Sequence, residues 1–375
     1  MKYDIEIKVY VLKSKGLNNS ASVNRHEMII RMTEKSFDTI IIEREFFRQA
    51  KTIKKILYGL IFRIKLGILA SKIPNSEKNK KNIIILFSID PLTALIVKTI
   101  SIFKDNKLII ERNEFLTAIR KKKPFKRFFY EYFILSWQYK LYNGLFLMTD
   151  ELINFYKKYT RKDCSIQKLP MTVDFSRFEN NRDKDFEEKY IAYIGSLSNE
   201  KDGVFYLIKA FEKIANNHKD IKLKIAGGKD DEVSRLKKHV DHLGLTHRIE
   251  CMGLVNRELI PSFLQNAMIL VLPRPDSKQA RGGFPTKLGE YLASSKPVII
   301  TRVGEIASYL DEEDVYFINP DKMEEELANT IQIIITDYKH AIKVGKKGRQ
   351  KALKYFSLEA NAEKVANLIN TVANN

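Results

Sequence analysis

Cysteine is nearly absent: Cys164 and Cys251 are the two in 375 residues. Two thiols cannot build a disulfide framework, and with no signal-peptide pattern at the start of the chain they point to a reducing cytoplasm. Long apolar runs are missing too, since no uncharged stretch approaches the ~18 residues that a membrane span requires. That argues against an integral membrane protein. Histidine is scarce, with six residues, of which His26 alone lies in the first half. His239, His242 and His247 fall in a helical or loop stretch away from strand ends, so neither a histidine metal site nor a Ser-His-Asp arrangement has support. Helix-turn-helix, zinc and RNA-platform signatures are lacking as well.

What is present is ordinary for a globular chain of two domains: 44% hydrophobic and 30% charged residues. The net charge of +19 is unevenly placed. Residues 1–175 hold 34 Lys and Arg against 17 Asp and Glu, whereas residues 176–375 hold 31 against 29. Such segregation suggests an anionic partner for the first half. A basic nucleic-acid-binding protein is one reading, although the most specific motifs sit in the near-neutral half.

Short apolar runs alternate with amphipathic stretches in the second half: Tyr190 to Ile194, Ile221 to Ala226, Ile249 to Met252, Met268 to Leu272 and Pro297 to Thr301. This βαβ rhythm predicts a parallel sheet in an α/β domain. Most of the runs end in a turn-former, at Gly195, Gly227-Gly228, Gly253 and Pro273, and ligands of open α/β sheets bind at the carboxyl ends of the strands. The first half repeats the rhythm less cleanly, with candidate strands at Ile5 to Leu12, Thr39 to Ile42, Ile83 to Phe87, Leu108 to Glu111 and Leu145 to Met148. The domains read as 1–174, a linker at 175–189, 190–350, and a C-terminal helix at 351–375. The linker is polar and without apolar period, and its Asp183-Lys184-Asp185 reads as solvated chain rather than a metal-binding D-x-D.

The most informative stretch is GGFPTKLGEYLASSKPVI, Gly282 to Ile299. Gly282 and Gly283 permit a sharp turn, and Pro285 fixes φ ahead of a helix that begins near Thr286. The unpaired N–H groups and positive dipole end of a helix start favour phosphate, and Lys287 adds a full charge at the same place. Glu290 lies one turn further in, where it would face the hydroxyls of a sugar attached to a diphosphate. The same letters also fit an ordinary amphipathic helix with a solvated Lys287/Glu290 pair.

Gly283 to Ala293, followed by Lys296-Pro297-Val298-Ile299, resembles the donor-site signature of the group 1 (family 4) glycosyltransferases of GT-B fold. The resemblance implies two Rossmann-like doubly wound domains facing a central cleft. It implies that the loop Gly283, Phe284, Pro285, Thr286 and Lys287 holds a nucleotide-sugar diphosphate while Glu290 binds the ribose. Tyr193 to Gly203 is similar to the family's first loop of the second domain, where a glycine, an arginine and a lysine meet the diphosphate. Here Gly195 and Lys201 stand in place, but Ser196 replaces the arginine and removes a bidentate phosphate partner. Gly282 likewise replaces a glutamate that contacts the transferred sugar, and Arg274 or Arg281 is the candidate for restoring charge at the diphosphate. Gly253-Leu254-Val255 resembles the loop whose backbone reads the base. Lys168 to Asp174 with Phe178 resembles the end of the family's first domain. Residues 1–50 contain Gly16 alone where the family opens with a strand and a Gly-rich loop. Either the first domain lacks its first βα unit or the region is rebuilt.

The implied function is a retaining, hexosyl-type glycosyltransferase of surface-polysaccharide assembly, with a nucleotide-diphosphate sugar as co-substrate and no metal or other cofactor. A nucleotide-sugar epimerase of the same fold is the second enzymatic reading. Lys201 and Arg274 would stabilise the leaving diphosphate. Glu111 or Glu114, after a candidate strand, would orient the acceptor hydroxyl, unless Glu111 to Glu114 is a plain ion-pair cluster. For the basic first domain, Ile53, Ile56, Leu57, Leu60, Ile61, Ile64 and Ile68 form a helical stripe, and Arg120 to Arg127 leads into Phe128, Phe129, Tyr130, Tyr132 and Phe133. Basic clusters beside aromatics suit an anionic bilayer, so the expected partner is the inner face of the plasma membrane, with a lipid-linked saccharide acceptor and no nucleic acid. The stripe fits a buried core helix equally well.

Overall fold

The structure is a computed structural model, which describes residues 5–15, 21–45, 52–87, 90–115, 128, 133–179 and 188–375. Gly16, Arg120 to Arg127, Phe129, Tyr130, Tyr132 and Asp183-Lys184-Asp185 lie outside the described residues, as do the side chains of Ile53, Ile56, Leu57 and Leu60. The chain divides into two units, one of residues 1–170 with 361–375, the other of residues 171–360.

In the first unit a six-stranded parallel sheet runs in the order β2-β1-β3-β4-β5-β6. Its strands are β1 (Glu6–Lys15), β2 (Asp38–Glu45), β3 (Lys80–Leu86), β4 (Lys107–Arg112), β5 (Gly144–Leu147) and β6 (Ser165–Lys168). The isoleucine run of β3 is buried on both faces, as a central strand covered by helices on each side requires. β1 lies inside the sheet, with Val9 opposite Thr39 on one neighbour and Ile83 on the other. That is the switch-point position, which the first strand holds in a 2-1-3-4-5 order. Asp90 starts the helix Pro91–Phe103 by accepting hydrogen bonds from the N–H groups of Leu92 and Thr93, with Pro91 in the first turn.

The second unit repeats the plan in the order β12-β11-β10-β7-β8-β9. Here β7 is Lys189–Ile194, β8 Ile221–Ala226, β9 Ile249–Gly253, β10 Ile269–Leu272, β11 Val298–Thr301 and β12 Tyr316–Ile318. Strand order reverses between β7 and β10, so the loops after these two strands flank the crevice where open α/β sheets take ligands. The helix Val204–Ala215 buries Val204, Leu207, Ile208, Phe211, Ile214 and Ala215 on one helical face. Full burial of a side chain such as Phe211 contributes about 2 to 3 kcal/mol.

The division differs from the boundaries read from the sequence. Residues 171–174 join the second unit: Met171 and Val173 pack on Gly289, and the Val173 N–H donates to the Phe356 carbonyl at 2.8 Å. Residues 351–360 stay there too, because Phe356 is buried against Phe284 and Tyr309. Residues 175–178 form a helical turn, capped by Asp174 and anchored by buried Phe178, so this part of the supposed linker is folded. The last helix, Leu358–Asn374, places Leu368 and Val372 over Gly144 of β5. Among the described residues, no helix is long and apolar enough to cross a membrane.

Candidate active site

The carboxyl ends of β7, β8 and β9 are laced together by backbone. The Gly195 N–H donates to the Ala226 carbonyl at 2.9 Å and the Gly227 N–H to the Gly253 carbonyl at 2.6 Å. Gly227 has φ +110°, and a Cβ there would overlap the Gly195 carbonyl, so only glycine lets the two loops approach. Gly195 is constrained for a different reason: a Cβ would overlap Lys287 Nζ and lie 2.6 Å from the Tyr193 hydroxyl. The absent side chain is the space that the ammonium group fills.

Lys287 comes from the helix Thr286–Ala293. Pro285 precedes it at φ −71°, ψ 106°, and no side chain caps its first turn. Leu288, Tyr291 and Leu292 are buried and fix its orientation, and the Tyr291 hydroxyl accepts from the Ile194 N–H at 2.8 Å. Gly289 lets the helix press on Val173. The helix start and the end of β7 are thereby held together, and the N-terminal dipole adds to the Lys287 charge.

Lys287 is paired with Asp202, whose second oxygen lies 3.8 Å from Arg274 Nε. The Tyr193 hydroxyl donates to the Ser196 carbonyl at 2.5 Å and lies 3.2 Å from the Asp202 carboxylate. Lys287 Nζ also sits 5.6 Å from the centre of the Tyr193 ring. Asp202 and Arg274 are buried, while Lys287 keeps about a quarter of its side-chain surface, 24%, in solvent. Burial alone would raise the Asp202 pKa; the charges of Lys287 and Arg274 outweigh it and hold the carboxyl below its ordinary value. Lys287 is shifted down by burial, with Asp202 working in the opposite direction. Burial pushes Tyr193 well above the phenol range, so it stays a neutral hydroxyl. Two cations around one carboxylate at a helix start leave an excess of positive charge suited to an anionic ligand.

Glu290 is engaged by Arg177, which donates to it at 2.6 Å and to the Arg257 carbonyl at 2.7 Å. Leu254 projects into solvent at 73% exposure, and Gly253, the last residue of β9, adopts φ +70° just before it. Val255 is half-buried. Ser196 contributes its carbonyl to Tyr193 and its hydroxyl oxygen to the Ser198 N–H. Lys201 is half-buried on the turn that carries Asp202.

Three expected site residues have other surroundings. Phe284 is buried in an aromatic cluster with Tyr309 and Phe356, where it anchors the loop. Arg281 pairs with Asp276 on an exposed edge, with 55% and 44% of the two side chains in solvent, so Arg274 is the arginine beside Lys287. Glu111 is buried in the first unit against Arg25 at 2.5 Å, with His26 at 3.7 Å. Burial would raise its pKa, but the Arg25 charge and then the His26 hydrogen bond bring it down to about 2. With its oxygens occupied, Glu111 is an ion-pair anchor for Arg25. Arg25 also donates to the carbonyls of Leu169 and Pro170, fastening its helix to the chain after β6. Glu114 offers its carbonyl to Tyr156.

Asp202 and Arg177 were missed by sequence reasoning. Asp202 could have been noticed as an acid inside a run expected to meet phosphate. Arg177 gave no signal in a charged, aperiodic segment.

Residues 174–351 match the family model described as glycosyl transferases group 1. This stretch is similar to a group 1 glycosyltransferase domain. The chain is 30% identical over 141 residues to an uncharacterized glycosyltransferase of Methanocaldococcus jannaschii, covering 36% of this chain and 34% of that protein. It is 26% identical over 209 residues to the capsular polysaccharide biosynthesis glycosyltransferase CapM of Staphylococcus aureus, covering 53% and 52%. The chain thus spans between about a third and about a half of the length of these curated relatives. Over the whole chain the likeness is structural: the crystal structure of Anabaena HepE in complex with UDP superposes with a TM-score of 0.71, covering 97% of this chain and 100% of that one at 14% identity. At that identity the likeness speaks to fold, and the two six-stranded α/β units have the GT-B fold.

Proposed function

We propose that this glycosyltransferase moves a hexosyl group, with retention, from a nucleoside-diphosphate sugar to a lipid-linked saccharide in surface-polysaccharide biosynthesis. The observation that carries the reading is the convergence of Gly195, Lys287 and Arg274 at the β7/β10 switch point, beneath the uncapped start of the helix Thr286–Ala293. Breaking the bond between sugar C1 and the diphosphate leaves negative charge on the phosphate oxygens. Fixed cations and N–H groups stabilise that charge as it grows, which lowers the barrier more than equal binding of the ground state would. Lys287, Arg274 and Lys201 supply the charge without a metal. Glu290, released in part by Arg177, would accept from the ribose hydroxyls, with Gly253 to Val255 beside the base. HepE, with its UDP, supports the nucleotide, and CapM supports the polysaccharide context.

The first unit supports a membrane-facing acceptor. Its helix Thr52–Ser71 buries Leu66, Gly67 and Ala70 but leaves Ile64 and Ile68 about half exposed. Gly67 packs on Ile96 of the neighbouring helix Pro91–Phe103, which exposes Leu92, Leu95, Ile102 and Phe103. Apolar side chains in water within a strongly basic half fit the surface of an anionic bilayer at the cytoplasmic face of the plasma membrane.

A thermal-shift screen against nucleotide sugars, followed by a transfer assay on lipid-linked saccharide, tests the enzymatic reading. A ligand that binds the folded state at about 100 times its Kd raises stability by about 2.7 kcal/mol. No shift with any donor would refute it. Equal sedimentation with neutral and anionic vesicles would refute the membrane partner.

A further inference from the structure

Asp202 is an unexpected presence in an anion site. Its side chain is 4% exposed, and it lies between the two cations best placed for a diphosphate, Lys287 and Arg274. A buried carboxylate there opposes the binding of any phosphate unless it performs a second task. The surroundings of Lys287 show what that task is. The groups facing the ammonium are Asp202 and Lys201 from the turn after β7, the Tyr193 ring and hydroxyl from β7, and Arg274 after β10. Glu290, one turn along its own helix, is turned to Arg177. Asp202 is therefore the one carboxylate among the described groups facing Lys287, set against two further cations.

We propose that Asp202 is a positioning residue that keeps Lys287 protonated and aimed over Gly195, so that a nucleoside diphosphate meets a charged ammonium group and not a neutral amine. This rests on the reading of the site as a diphosphate site. The geometry supplies the direction: Asp202 engages the ammonium through the oxygen that also lies 3.2 Å from the Tyr193 hydroxyl, while 24% of the Lys287 side chain stays open to solvent and a ligand. Burial favours the neutral amine, and so do Lys201 and Arg274; Asp202 alone pulls the other way. Without it, three cations would share one recess and Lys287 would shed its proton at lower pH. An arginine at position 287 would need no such partner, because a guanidinium does not deprotonate in proteins.

The experiment is calorimetric titration of the full chain with UDP from about pH 7.5 to about pH 9, where its terminal phosphate has completed most of its own ionisation, and with inorganic pyrophosphate at about pH 7.5 as a second probe. Wild type should bind with affinity varying by less than about threefold over this range, whereas Asp202→Asn should weaken by about tenfold or more towards its alkaline end. Asp202→Glu should restore most of the flat profile, and adding Lys287→Arg to Asp202→Asn should abolish the pH dependence. Parallel profiles for wild type and Asp202→Asn would overturn the proposal. Absence of binding of both probes to wild type would sink the diphosphate reading itself, a distinct outcome that takes the proposal with it. Should Asp202→Asn fail to fold, competitive acylation of wild-type lysines, read by mass spectrometry, still decides. Lys287 must remain unreactive near about pH 7.5, as a protonated amine does; free-amine reactivity there would refute the role of Asp202.

Discussion

Replacing Glu111 with Gln removes one charge from a buried pair and leaves Arg25 in place. The Arg25 side chain is 2% exposed and is tied to the carbonyls of Leu169 and Pro170, so the guanidinium cannot swing into water. Removing one partner of a buried ion pair costs about 3 to 5 kcal/mol, since the other charge is left uncompensated. The acid shift of Glu111 gives an independent figure. A fall from 4.5 to about 2, at about 1.4 kcal/mol per unit, corresponds to roughly 3 kcal/mol. Because the folded-state value is depressed, this stability is fully present above about pH 4.5 and is lost as pH falls through about 2. The single tryptophan, Trp137, lies in the same unit, so its fluorescence during urea unfolding reports the relevant transition. Glu111→Gln should lower the stability of that unit by about 3 kcal/mol at neutral pH, and the gap should narrow in acid. Turnover of the folded fraction should change little. A loss below about 1 kcal/mol, or intact stability with turnover reduced by about 100-fold, would refute the anchor role and return Glu111 to catalysis.

Gly195→Ala should weaken UDP binding by about tenfold and also lower Tm, because the new methyl group displaces the end of Lys287 and presses on the buried Tyr193 hydroxyl. Thermal denaturation and titration together separate those two effects. Glu290→Ala should weaken UDP while leaving inorganic pyrophosphate unchanged, since its carboxylate is assigned to the ribose; equal losses for both ligands would contradict that assignment. Burial pushes the Cys164 thiol up to about 12 and raises that of Cys251. Both should therefore alkylate slowly with iodoacetamide at about pH 8, and rapid modification of the folded chain would show the thiols to be more accessible than described.

Strands could be read directly from the chain where apolar residues run unbroken, as in the central strands β3 with its isoleucine run and β7 with Tyr190 to Ile194, and also in the edge strand β2 with Thr39 to Ile42. The strands β6 and β12 lie at sheet edges, are three or four residues long and mostly half-buried, and left no such trace. The helix at Thr286 was legible because a turn, a proline and a lysine all act locally. Pairings across long sequence separation were not. Asp202 with Lys287, Arg177 with Glu290, and Arg25 with Glu111 each require the sheet to be assembled before the charges meet. The burial of Phe284 was not legible for the same reason: it depends on Tyr309 and Phe356, which arrive from later in the chain.

The most direct measurement is calorimetric titration of UDP into wild type and into Lys287→Ala at neutral pH. If the start of the helix Thr286–Ala293 grips two linked phosphoryl groups, wild type binds saturably and the folded variant binds about 100-fold more weakly. Equal affinity in the two proteins would contradict the assignment of this helix start as the diphosphate site.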